Sequence, residues 1–523
     1  MDRVIMQVNL FIRDFRMKNK AKKIIGCMVF LCLIGIVFMK ITYLFSGSGR
    51  EREAILGIKE EGPLDMVYVG ASAAYTSWQP LKAWNDCGFT SYTYATGGLP
   101  AVSVEHYIKE VLKTKTPELF VVDARTFLLW DDNAYVKIRY GSDSMDYSLN
   151  RFSLVKDFFD YRTIAEGDDR LSYYLQIVKY HSNYKAVLSN EDNWKLINNK
   201  EVSKYKGWTF MEYHCPLELP KGFATKESKP LKKENLRILN DLLSYCREKE
   251  LEVLFVVYPY AISIEEQKQY NTLQKIVEDA GFDFLNTNFS YEEMNLNFQT
   301  DFNDRNHLNC FGAEKYTNFL EKYLVENYTL PDHRGDGEYN SWDELYLQFK
   351  DDEAETKKNV QEMIDNKERG EKAAELLPTV TDPNQWAALA NNNNFTALIS
   401  TVGQWKADDI EFCTILDQFG IEESDDRYIL RVISGYNDEL LDLRSDESLS
   451  ETCEIGKAET VHGESSVEIT SGLTGSLSVD DIKYIFDADG VYVGIYNNNT
   501  NQMIDLVRII CQNKGMEIVH LGV

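Results

Sequence analysis

Residues 24–39, IIGCMVFLCLIGIVFM, carry no charged side chain, and beyond Lys40 the apolar run resumes through Ile41-Thr42-Tyr43-Leu44-Phe45. As a helix, the 22 residues from 24 to 45 are long enough to cross about 30 Å of hydrocarbon, with Lys40 extending its stem toward the interface. The preceding residues 1–23 hold Arg3, Arg13, Arg16, Lys18, Lys20, Lys22 and Lys23 against Asp2 and Asp14, a net of +5. By the positive-inside rule this basic tail stays in the cytoplasm and the rest of the chain lies outside the cell membrane, single-pass. A cleaved signal peptide is the alternative. The apolar run is long for that role, and the SGSGR that follows is a poor small-x-small cleavage site.

Beyond the span the chain has 48 basic and 81 acidic residues, a net of -33, against -27 for all 523 residues. That excess argues against nucleic acid as a partner, since phosphates are met first by cations. Hydrophobic residues make up 44% and aromatics 12%, enough for two or three domains with real cores. Two of the nine cysteines, Cys27 and Cys32, lie in the span; the other seven are scattered without a C-x-x-C, so neither a zinc site nor a disulfide framework is indicated.

From residue 64 short apolar runs alternate with amphipathic stretches. LDMVYVG (64–70), SYTYAT (91–96), ELFVVDA (118–124), LEVLFVVYPY (251–260) and DFLNT (283–287) read as strands. A helix starts at Ser72, and 102–113, 234–249, 264–280 and 312–327 have helical periodicity. Alternation of this kind predicts an α/β domain over 60–330, with a doubly wound parallel sheet whose sites lie at the carboxyl ends of its strands. An insert, 130–230, interrupts it; residues 130–213 contain 17 aromatics, among them Trp130, Tyr140, Tyr173 and Trp208. That richness suits a helical subdomain with an aromatic core, or a lid offering rings to a sugar or acyl chain. A charged linker, 331–377, reads as a solvated helix over 341–377. Residues 378–523 form a separate α+β domain, with strands at 395–400 and 428–435, a helix at 409–420 and a hairpin over 490–510.

Chemistry concentrates at two places. Val69-Gly70-Ala71-Ser72-Ala73 puts a serine hydroxyl just past a buried strand, where a helix start can offer amides to an oxyanion; serine is equally a favoured helix cap. In DFNDRNHLNCFGAEKYTNFL, Asp304 precedes His307 by three residues just ahead of the last helix of the α/β domain. A carboxylate so placed can hold the imidazole in the tautomer that deprotonates a serine. A metal-binding or capping role is the plainer alternative. Of seven histidines, His307 has the best context; His106 falls within a helix and His333 in a polar linker.

Strand-G-x-S at the start and D-x-x-H-L-N-x-x-G-A before the final helix resemble the SGNH/GDSL hydrolase superfamily. Within it the chain is similar to the membrane-anchored, extracytoplasmic branch that includes the D-alanyl-lipoteichoic acid biosynthesis and alginate O-acetylation proteins. The resemblance implies Ser72 as nucleophile, His307 as general base and Asp304 as the orienting acid. It also implies an oxyanion hole built from the Ser72 and Gly98 amides, Gly98 lying in Ala95-Thr96-Gly97-Gly98-Leu99-Pro100. The superfamily's G-x-N-D has no counterpart: Asp123-Ala124-Arg125 follows the third strand instead. Residues 378–523, through NFTALISTVGQW, LDQFGI and YILRVISG, resemble the interleukin-like EMT inducer domain, which implies a glycan-binding module.

These readings lead to an O-acyltransferase or esterase acting on a cell-surface polysaccharide or teichoic-acid-like polymer through an acyl-serine. A membrane-bound O-acyltransferase is the implied partner, and neither cofactor nor metal is called for. The alternative from another class is a catalytically silent binding or scaffold protein in a glycan-assembly complex.

Overall fold

The computed structural model describes residues 2–128, 134–161, 169–189, 191–405, 415, 417–421, 426–436, 438–456, 464–480, 482–512 and 515–523. Trp130 and most of the helix expected over 409–420 lie outside them. The described chain divides into two units, Met1–Val360 and Gln361–Val523.

The first unit opens with α1 (Asp2–Phe45), whose stretch Lys22–Phe45 is long and apolar enough to cross a membrane. Its last turn is not free: Thr42, Tyr43 and Leu44 are buried, and Asn183 Nδ2 donates to the Phe45 carbonyl at 3.0 Å. After Ser46–Gly49, α2 (Arg50–Gly57) leads into the sheet. Strands β1 (Met66–Gly70), β2 (Ser91–Ala95), β3 (Leu119–Asp123), β4 (Val253–Val257) and β5 (Asp283–Asn286) stand in the order β2-β1-β3-β4-β5, all parallel. Every residue of β1 to β4 is buried, which explains why β1, β3 and β4 read as apolar runs: a strand covered on both faces has no polar side to alternate with, and β2 buries the side chains of Ser91 and Thr93 as well. The edge at β2 is closed where Thr93 N–H donates to the Lys206 carbonyl at 2.9 Å.

Between β1 and β2 run α3 (Ser72–Ser77) and α4 (Pro80–Cys87), and α5 (Ser103–Val111) joins β2 to β3. The insert is helical, with α6 (Ala134–Ser142), α7 (Leu149–Tyr161), α8 (Leu171–Tyr174), α9 (Ile177–Tyr180) and α10 (Tyr184–Ser189). It has the aromatic core that its composition suggested. Phe159 meets Tyr173 edge-on at 5.1 Å, and the fully buried Arg151 donates to the carbonyls of Ser142, Tyr173 and Tyr174, tying α6, α7 and α8 together. The main fold resumes with α11 (Lys233–Glu248), α12 (Ile264–Asp279) and α13 (Cys310–Asn327). Helices α3 and α4 pack with α13, whereas α5 packs with α7 and α11, so the two groups form separate layers over the sheet. The order 2-1-3 makes the β1/β3 boundary the point where connections diverge, and such sheets open a crevice there.

The charged helix α14 (Asn340–Leu376) carries one apolar side: Trp342 lies 5.4 Å from Trp84, and Phe349 5.4 Å from Trp208, ring to ring. Some of its charges are paired at that packed side, Asp343 accepting from Trp84 Nε1 at 2.9 Å and Glu353 from Gln79 Nε2 at 3.1 Å.

In the second unit α15 (Pro383–Ala390) precedes, among the described residues, the strands β8 (Phe395–Val402), β9 (Tyr428–Ser434), β10 (Asp438–Ser445), β11 (Leu449–Ile455), β12 (Ser465–Ser471), β13 (Gly475–Val479), β14 (Ile482–Phe486), β15 (Gly490–Asn497), β16 (Gln502–Gln512) and β17 (Gly515–His520). An antiparallel six-stranded sheet, β10-β9-β8-β15-β16-β17, packs Leu398, Leu430 and Val432 against Ile455, Val467 and Leu477 of a second sheet, β11-β12-β13-β14. Its other face covers Trp386, Ala373 and Leu377. The expected hairpin over 490–510 is present as β15 and β16.

Candidate active site

Ser72 is the first residue of α3, two residues past the carboxyl end of β1. The turn is tight because Gly70 lacks a side chain: a methyl there would lie 2.5 Å from Asp123 Cβ and 2.9 Å from Ala74 Cβ. Glycine thereby lets β1, β3 and α3 converge behind the serine.

The second element is a β-hairpin rather than an irregular loop. Strands β6 (Phe302–Asp304) and β7 (His307–Leu308) pair so that Asp304 faces His307 across Arg305 and Asn306. Asn309 then caps α13, its side chain accepting from the N–H groups of Phe311 and Gly312. The D-x-x-H-L-N sequence is therefore one folding unit: a hairpin, a buried Leu308 and a helix cap.

These two elements meet. His307 Nε2 lies 2.7 Å from Ser72 Oγ, and His307 Nδ1 lies 2.9 Å from both oxygens of Asp304. With Nδ1–H donated to the carboxylate, Nε2 is the acceptor for the serine hydroxyl. Burial alone would raise the Asp304 carboxyl, but hydrogen bonds from His307, from the Asn306 N–H and from Asn303 hold it below the usual carboxylate range. Asp304 thus stays ionised and can stabilise an imidazolium. The side chains of His307 and Asp304 are 21% and 43% exposed, so the site is open, not enclosed.

Gly97 and Gly98 form the turn directly after β2, whose Ala95 pairs with Gly70. This places Gly98 at the same carboxyl edge as Ser72, one strand away. Gly98 has φ +57, a left-handed conformation that favours glycine.

Two residues escaped the sequence reading because they stand where the G-x-N-D asparagine was sought. Buried Asp123 accepts from Ala71 N–H at 3.3 Å through Oδ2 and from Arg125 N–H at 3.0 Å through Oδ1. It therefore braces the turn that carries the serine. Burial raises its carboxyl to about 6, against the pull of those amides and of Arg125. The Arg125 guanidinium donates to the Tyr258 hydroxyl and, at 2.7 Å, to Asn306 Oδ1, and it lies 4.1 Å over the Tyr260 ring. Tyr258 in turn donates to the Asn306 carbonyl at 2.9 Å. Asn306 is the residue whose amide holds Asp304, so Arg125 and Tyr258 clamp the hairpin from β3 and β4. A charged residue directly after a buried strand was the signal.

A further arginine ties the site to the N-terminal helix. Arg50 stacks 3.2 Å from the centre of the Tyr75 ring, one turn along α3 from Ser72. It also donates to the carbonyls of Ala95 and Gly207. The other histidines with a claim to chemistry have structural partners: His106 contacts Asn150 and Asp157, and His333 stacks on Tyr339 beside Asp65. Among the described residues no group of three or more His, Cys, Asp or Glu could hold a metal ion.

No family model matches the chain, and no curated protein matches it either.

Proposed function

We propose that this protein is a membrane-anchored, outward-facing serine ester transferase or esterase of the SGNH type, acting on hydroxyl groups of a cell-surface polymer. The observation that carries this reading is the hydrogen-bond chain Ser72–His307–Asp304 at the carboxyl edge of the parallel sheet. Serine at its ordinary pKa is a weak nucleophile, and an oriented neutral imidazole is what activates it.

In the first half-reaction Ser72 Oγ attacks the carbonyl of an acyl ester while its proton passes to His307 Nε2. The tetrahedral oxyanion collapses, the ester bond to the donor alcohol breaks, and His307 returns the proton to that alcohol. In the second half a polymer hydroxyl, or water in an esterase, attacks the acyl-Ser72 while His307 takes its proton; the acyl–Oγ bond then breaks and His307 returns the proton to Ser72 Oγ. Asp304 stays ionised throughout. The Ser72 and Gly98 amides are the proposed oxyanion donors. An open site suits a polymeric acceptor, and an anchored enzyme can receive acyl groups from a neighbouring membrane-bound O-acyltransferase. The basic residues at the start of α1, ahead of its apolar stretch, support an N-terminus in the cytoplasm.

A fluorophosphonate probe should label the full-length chain and not Ser72→Ala. Labelling of intact cells with a membrane-impermeant version reads the topology at the same time. A folded wild-type chain that takes no label would leave the scaffold reading standing.

A further inference from the structure

Beside the exit of α1 lies a cavity of about 470 Å3. One wall is the Ser46–Gly49 link itself, a second is α6 through Tyr135, Arg139 and Tyr140, and a third is Lys179 with Tyr180 on α9. Because the link follows Phe45 directly, the cavity sits where the chain leaves the apolar helix.

The lining is chemically mixed. Arg52, Arg139 and Lys179 stand against Glu51 and Asp143. Much of this charge is paired: Arg139 lies 3.5 Å from Asp143, which also lies 3.6 Å from Arg151 and accepts a 2.8 Å hydrogen bond from the Tyr180 hydroxyl, and Arg52 lies 3.7 Å from Glu201, outside the lining. A phosphate would call for a cluster of cations without matching acids. What this wall presents is donors and acceptors side by side, three tyrosine rings and several serine hydroxyls. That combination fits the hydroxyls and the apolar ring face of a sugar.

The same helix reaches the catalytic edge. A methyl on Gly97 would lie 3.5 Å from the Tyr140 ring and 3.6 Å from Glu51 Oε1, and one on Gly98 would lie 2.9 Å from Lys137 Nζ. Tyr140 and Glu51 therefore face the cavity on one side and the Gly97-Gly98 turn on the other. A chain seated in the cavity would pass this turn on its way to Ser72.

We propose that the cavity binds a glycosyl unit of the acceptor while that acceptor is still held in the membrane, and so presents the neighbouring hydroxyls to Ser72. This rests on the ester-transfer reading for the acceptor role, but the binding itself can be measured separately. The full-length chain in nanodiscs should bind diglucosyl diacylglycerol saturably. Tyr140→Ala should weaken that binding at least tenfold, while Tyr140→Phe, which keeps the ring, should restore most of it. Ser72→Ala should bind like the wild type. Equal binding of phosphatidylglycerol would overturn the sugar assignment, and equal binding of free maltose would overturn the requirement for a membrane-held acceptor. Absence of glycolipid binding, or binding that Tyr140→Ala leaves intact, would sink the cavity proposal alone; failure of Ser72 to label would sink the ester-transfer reading alone.

Discussion

Ser72 Oγ and His307 Nε2 lie 2.7 Å apart, although 235 residues separate them in sequence. The contact joins the turn after the first strand to the hairpin before the last helix of the sheet domain, so it exists only when the whole domain is folded. If both residues act in one step, their effects must be non-additive. Ser72→Ala, His307→Ala and the double variant should each lower p-nitrophenyl acetate turnover to one common floor, a loss of roughly a thousandfold or more. Asp304→Asn should do less harm, because the imidazole remains. A double variant markedly worse than either single one would show that the two residues work independently.

Arg125 touches the hairpin through Asn306 and not the reacting atoms. Arg125→Met should therefore lower kcat by about 10- to 100-fold, the effect of a small misplacement of His307, with KM for a small ester unchanged. Arg125→Lys should fail to rescue, since an ammonium cannot reproduce the guanidinium fork that spans Tyr258 and Asn306. A rise in KM with unchanged kcat would place Arg125 in substrate binding instead.

Asp123 gives the fold a pH dependence of definite sign. Its carboxyl is raised from 3.8 to about 6 on folding, so the native chain holds this proton where the unfolded chain has released it. The stability it contributes is full below about pH 4 and is lost as pH rises through about 6. Across that window the wild type should lose on the order of 3 kcal/mol relative to Asp123→Asn, measured by urea unfolding in one detergent. Parallel curves for the two proteins would mean that Asp123 ionises as it does in water.

The second unit begins at Gln361, inside α14. A fragment 361–523 should fold alone. One starting at residue 378 removes buried Ala373 and Leu377 and the Asn366 carbonyl that accepts from Asn394, a deletion worth about 2–5 kcal/mol. Circular dichroism melts of the two fragments test this, and a polysaccharide pull-down with the longer one tests the glycan-binding role that the resemblance implies.

Strands β1, β3 and β4 were legible as apolar runs, β2 and the half-exposed β5 through their place in the strand–helix alternation, and the Asp304–His307 pair because its partners are three residues apart. Strands β10 to β14 were not. Strands β10 and β11 are largely solvent-facing and carry Asp438, Glu451 and Glu454, with few buried apolar positions to mark a face. The Arg125–Asn306 clamp joins residues 181 apart, and no local pattern marks a contact that the sheet order alone creates. The cavity beside α1 was hidden for the same reason: its walls come from a four-residue link and from α6 and α9, far along the chain from it.

Arg50 lies five residues after Phe45 and stacks on Tyr75, one helical turn from Ser72. Five residues reach about 17 Å at full extension. On an anchored chain, Ser72 is thereby confined to a thin layer above the bilayer and sweeps an area, not a volume. Its rate should then follow the surface density of donor and acceptor in the lipid plane, independent of how dilute the cells are. Growing chains would be modified near their membrane-held end, as they pass through that layer, and distal segments would carry only the acyl groups they acquired on the way out.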